Sequence, residues 1–128
     1  MDKVRHSHST IAPAIGKYSR SIRAGNMLFI SGCTAVGTEA EDQDVMRQAC
    51  HTMNRVIRIV QAEGGTYTDI VKLVIYVTNM EEFRSYSTEF DEMMDRYFHG
   101  VYPTSTLIAT PALAVPTLQI EIDATAVF

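Results

Sequence analysis

Cysteine is scarce in this chain of 128 residues: only Cys33 and Cys50 occur. Two cysteines at that separation make neither a disulfide framework nor zinc-ligand spacing, so they read as free thiols of a reducing compartment. No run of eighteen apolar residues exists, which excludes a membrane-spanning helix, and no membrane partner is expected. The opening Met1-Asp2-Lys3-Val4-Arg5-His6 lacks an apolar stretch, so no signal peptide is expected. Positive charge is also limited. Lys plus Arg number 11 against 15 Asp plus Glu, for a net charge of −4 without a basic block, which argues against nucleic acid as a partner. Repeats, low-complexity tracts and linkers are missing. Apolar residues nevertheless make up 46% of the chain, ample for one packed core. The expectation is a soluble cytoplasmic protein with a single domain over residues 1–128.

Residues 1–11 are polar and read as an irregular arm, running on to Ala12-Pro13. Two alternating runs, Tyr18–Arg23 and Met27–Ile30, flank Ala24-Gly25-Asn26 and predict a β-hairpin. After an acidic loop, Val45, Ala49, Met53, Val56 and Val60 step by three and four and predict a helix. Asp42 can cap its start, and Gly64-Gly65 stops it. Ile70–Val77 is β-branched and short, the pattern of a buried strand. Asn79-Met80-Glu81-Glu82 resembles a capping box, followed by a second stripe at Phe83, Tyr86, Phe90, Met93 and Tyr97. Strands near Ser105–Ala109 and Leu118–Val127 close the chain. The expected class is α+β in ββαβαββ order, with two helices on one face of a mixed sheet. Ile30, Ile75 and Ile120 are too many for those helices to hide, so the other sheet face calls for oligomerisation.

Few residues announce chemistry. Glu121 and Asp123 alternate with Ile120, Ile122 and Ala124, so both acids share one strand face, either solvated or at a subunit interface where burial could tune them. Cys33 follows Gly32 at a strand end, but no neighbouring cation in sequence lowers its pKa. His6 and His8 lack a visible third ligand, and His51 and His99 read as surface residues, so no metal site is expected. Gly64-Gly65 ends a helix rather than opening one and is no phosphate loop. No G-x-S-x-G elbow occurs.

Four strings, in register over about residues 12–127, carry a resemblance. Ala12–Ser19, Gly25–Gly32, Ala62–Met80 with its Glu63-Gly64-Gly65, and Ile120–Val127 resemble the RidA (YjgF/YER057c/UK114) family. The resemblance implies a chorismate-mutase-like fold, a homotrimer with a small organic ligand in clefts between subunits, and no metal or organic cofactor. It also implies hydrolysis of 2-imino acids, or their enamine tautomers, to keto acids and ammonia. On the family pattern Tyr18 is the cleft tyrosine, Gly32 the glycine beside the ligand, and Glu121 the catalytic glutamate that orients water. Cys33 stands where a glutamine is common. The family's carboxylate-gripping arginine falls at Ser105, followed by Thr106, and serine has no planar charged fork. A cleft asparagine falls at Ser87 or Asp91. Arg20 shares a face with Tyr18 and could supply charge instead, or be an ordinary exposed arginine. Three functions stay open: a ligand-binding trimer hydrolysing an imine or enamine, a 2-iminobutanoate/2-iminopropanoate deaminase with a substitute basic residue, and a non-catalytic binding or chaperone-like trimer.

Overall fold

A computed structural model describes residues 1–128. Its strands are β1 (Lys3–His6), β2 (Ser21–Ala24), β3 (Met27–Cys33), β4 (Ile70–Val77), β5 (Thr104–Ala109) and β6 (Ile120–Val127). They form one sheet in the order β1-β2-β3-β6-β4-β5, antiparallel except for the β4–β5 pair. The helices are α1 (Val45–Ala62), α2 (Met80–Ser85) and α3 (Ser87–Phe98). The α+β fold is as expected, with three departures in its elements.

Lys3–His6 is not irregular. It pairs antiparallel with β2 over Lys3↔Ala24 to His6↔Ser21, so backbone pairing overrides a side-chain pattern too polar to signal a strand. The second helix breaks at Tyr86, whose amide donates to Phe83 in a tight turn while the Ser85 hydroxyl bonds back to Glu82, leaving two helices in place of one. The cap of α1 is Asp44 and not Asp42: its Oδ1 accepts the amides of Met46 and Arg47, each at 3.0 Å. Other local signals hold. Gly25 takes the positive φ of the hairpin turn, and Gly64 (φ +88°) ends α1 with the paired bonds Gly64 N to Gln61 O and Gly65 N to Val60 O.

Both predicted stripes face the sheet. Val45, Ala49, Met53, Val56 and Val60 are buried, as are Phe83 and Met93, against Leu28 and Ile30 of β3, Leu73, Ile75 and Val77 of β4, and Ile120, Ile122, Ala124 and Ala126 of β6. Ile30, Ile75 and Ile120 therefore all lie under the helices. Strand alternation puts the three on one face, so they do not by themselves call for oligomerisation. The opposite face is uncovered all the same, and there Met27, Phe29 and Ile108 are exposed.

Gln48 on α1 fastens this layer to the approach to β6. Its fully buried amide nitrogen lies 2.8 Å from Glu41 O, 3.0 Å from Thr117 O and 3.2 Å from Gln43 O, and its oxygen accepts the Gln119 amide at 2.8 Å. Gln48→Met keeps the volume and strands these groups. Leaving buried polar groups unpaired costs about 1–3 kcal/mol each, so a loss of about 3 kcal/mol in unfolding free energy is expected. Urea titration at fixed protein concentration measures it, and a loss within experimental error would rule out the fastening role.

Candidate functional site

The site begins with an irregularity in β3. Ile30 pairs with Ala124 and Cys33 pairs with Ile122, so Ser31 and Gly32 together oppose the single residue Asp123. Such a bulge shifts the alternation by one and sends Cys33 to the helix side, where it is fully buried. Gly32 is left facing Glu121. A Cβ added there would stand 2.6 Å from Glu121 Oε2, so only glycine lets the carboxylate lie against this backbone.

Arg20, just before β2, reaches the same glycine from the other side. Its Nη2 donates to Gly32 O at 2.8 Å, its Nε is buried without a partner, and only 3% of the residue is exposed. The guanidinium carbon lies 5.4 Å from the centre of the Tyr18 ring, within cation–π range. The expectation of an ordinary exposed arginine is thus overturned. Tyr18, Arg20, Gly32 and Glu121 line one hollow of about 310 Å³, closed by Pro13 and Ile15 from the N-terminal loop and by Ala114 and Leu118. A second hollow of about 390 Å³ lies on the other side of Glu121, lined by Tyr76, Thr110, Leu113 and Asp123. Gly32, Ala114 and Glu121 border both, so the two are lobes of one groove sized for a small organic molecule.

Burial raises the Glu121 carboxyl above its ordinary pKa, the negative Asp123 adds to this, and Arg20 opposes it. Burial likewise raises Asp123, against its own backbone amide and Lys72. Cys33 is flanked in space by Arg20 and Arg55, yet burial pushes its thiol up to about 11. It lines neither lobe. Its assignment to the binding site fails because the bulge turned it into the core. Ser105 is also elsewhere in the chain's own fold. It lies on the helix side of β5 in a hollow with Phe83, Phe90 and Leu107, where Ser87 and Asp91 both sit. Thr106 pairs beside Val74 on the uncovered face and lines neither lobe.

Sequence reasoning missed Thr34, Tyr76, Thr110 and the apolar stretch Ala112–Ala114 as groove residues, and Gln48 as the tie that holds Thr117 and Gln119 beside it. The one available signal was the apolar, proline-flanked turn between β5 and β6, an unusual composition for an exposed loop. His6 and His8 do not converge on the groove. Both reach Glu63 at the end of α1, at 3.3 and 3.1 Å.

A carboxyl whose pKa is raised by folding binds protons that the unfolded chain has released. Stability is therefore greatest below the ordinary carboxylate value and is lost as pH rises through the raised one. Glu121→Gln removes this penalty. The variant is expected to melt higher than wild type at pH 7, with the gap narrowing as pH falls through the carboxylate range. Scanning calorimetry at several pH values checks this, and a gap that widens on acidification would contradict it.

Residues 9–128 match the family model described as endoribonuclease L-PSP. A RutC family protein of Pasteurella multocida is 30% identical, with 99% of this chain and 98% of that protein covered. The crystal structure of Escherichia coli TdcF with bound serine superposes with a TM-score of 0.83 at 28% identity, covering 98% of this chain and 99% of that one. Rv2704 of Mycobacterium tuberculosis, described as a member of the YjgF/YER057c/UK114 family, superposes with a TM-score of 0.78 at 27% identity, covering 99% of this chain and all of that one. With the family model matched from the N-terminal loop to the last residue, the chain belongs to the endoribonuclease L-PSP family, the RidA (YjgF/YER057c/UK114) group that its motifs resemble.

Proposed function

We propose that the protein hydrolyses a small imine, or its enamine tautomer, in clefts completed by trimer formation. The observation that carries this reading is the pairing on Gly32: a half-buried carboxylate against its Cα and a buried guanidinium on its carbonyl. Glu121 takes a proton from water as the oxygen adds to the imine carbon. The same carboxyl returns that proton to nitrogen to give a carbinolamine, then moves the hydroxyl proton to the amine as the C–N bond breaks, so that ammonia leaves and the C=O bond of the product forms. Its raised pKa brings donor and acceptor roles closer together at working pH. Arg20 supplies the positive charge that Ser105 does not, which keeps 2-imino acids within the substrate class.

Support for self-association comes from the uncovered sheet face, with Met27, Phe29 and Ile108 exposed on it, and from β5, an edge strand exposed along its whole length. Unpaired edges and apolar patches of this kind are surfaces that proteins cover. Closed cyclic symmetry would cover them in three copies at once.

Two measurements test the reading. Light scattering should give about three times the 14.3 kDa protomer mass, whereas a stable monomer at micromolar concentration would remove the intersubunit cleft. Threonine dehydratase supplies 2-iminobutanoate in a coupled assay, where the wild type should speed formation of the keto acid. Glu121→Gln should lower kcat by about 10²- to 10⁴-fold while the trimer persists. Equal turnover by wild type and variant would sink the role of Glu121, and no acceleration by either would favour a trimer that only binds.

A further inference from the structure

Two residues of the groove each carry a buried polar atom that the chain itself leaves unpartnered, and they line different lobes. Arg20, whose Nε is buried without a partner, lines the first, and Asp123, whose Oδ1 is buried without a partner, lines the second. No salt bridge reaches Asp123: beyond its own backbone amide, only Lys72, along the same sheet face and at a distance, favours its charge. The rest of the second lobe is hydroxyl or apolar: Tyr76, Thr110, Ala112 and Leu113. A buried acceptor without a donor is destabilising unless a ligand or another chain completes it. A lobe with a free carboxylate oxygen and no cation of its own fits a protonated nitrogen, as the lobe with a free guanidinium N–H fits an anion.

We propose that Asp123 is a ligand-binding residue that selects for nitrogen: the groove takes a small molecule with an anionic end toward Arg20 and a protonated amine or iminium toward Asp123, one on each side of Glu121. This rests on the groove being the small-molecule site proposed above, but not on turnover there. Asp123 holds the ligand's nitrogen and ranks ligands by whether they carry it.

Calorimetric titration of wild type, Asp123→Asn and Asp123→Glu with two probes separates the possibilities. The probes are 2-aminobutanoate, which carries the cation, and 2-oxobutanoate, which does not. Wild type should bind both. Asp123→Asn should weaken 2-aminobutanoate by about tenfold or more and 2-oxobutanoate less than twofold, with the mass unchanged, and Asp123→Glu should recover part of the difference. Equal weakening of both probes, or of neither, overturns the proposal. So does a drop in mass for Asp123→Asn, which would make Asp123 an interface residue. Selective weakening in a protein that turns over no imine would support Asp123 and sink the hydrolase reading, whereas failure of wild type to bind either probe would sink both.

Discussion

The site depends on one extra residue in β3. With Ser31 and Gly32 set against Asp123, the strand bends where β6 presents its two acids. The bulge fixes three things at once. It places a residue without a side chain under Glu121, turns the Gly32 carbonyl to Arg20, and returns Cys33 to the core so that the helix face stays closed. A regular β3 would put residue 32 among the core side chains and Cys33 on the uncovered face. The groove would then have neither its glycine floor nor the anchor for its arginine.

Electrostatics explains why such a floor is worth keeping. Glu121 and Asp123 share a strand face two residues apart, and each is driven toward its neutral form mainly by burial. Arg20 is itself almost wholly buried, with one carbonyl bond and an aromatic ring as its visible company. Partly desolvated charges without full hydrogen bonding destabilise a fold, and they are found where binding or chemistry needs them. The apolar core beneath, from Leu28 to Ala126, contributes the stability against which this arrangement is held.

The architecture was legible because periodicity reports burial directly. The two helical stripes and the alternation of β6 mark residues that the core must cover, and all point to the same sheet face. Glu121, Tyr18 and Gly32 were legible through the family's motifs, and Arg20 only as one of two readings, from a strand face that in fact begins after it, at Ser21. What failed depended on information that periodicity does not hold. A bulge has no pattern of its own beyond a glycine, so Cys33 was placed in the binding site by its position in the family pattern, although the bulge turns it into the core. Strand β1 is held by backbone bonds that polar side chains do not advertise. The three isoleucines were judged too many for two helices to hide, although strand alternation puts all three on the covered face.

Long-range polar bonds were the least legible of all, and they set the walls of the groove. Gln48 looks like any polar residue on an amphipathic helix, yet its amide spans from α1 to Thr117 and Gln119 across about seventy residues of chain. Arg20 joins the end of the N-terminal loop to the β3 bulge. Together they fix both sides of Glu121: one holds the segment that carries Leu118 into β6, the other holds the strand that Glu121 lies against. The carboxylate is thereby positioned by two buried polar side chains, Arg20 and Gln48, that come from separate parts of the fold. The hydrophobic layers bring the strands together, and these two contacts set where the groove's polar groups stand within it.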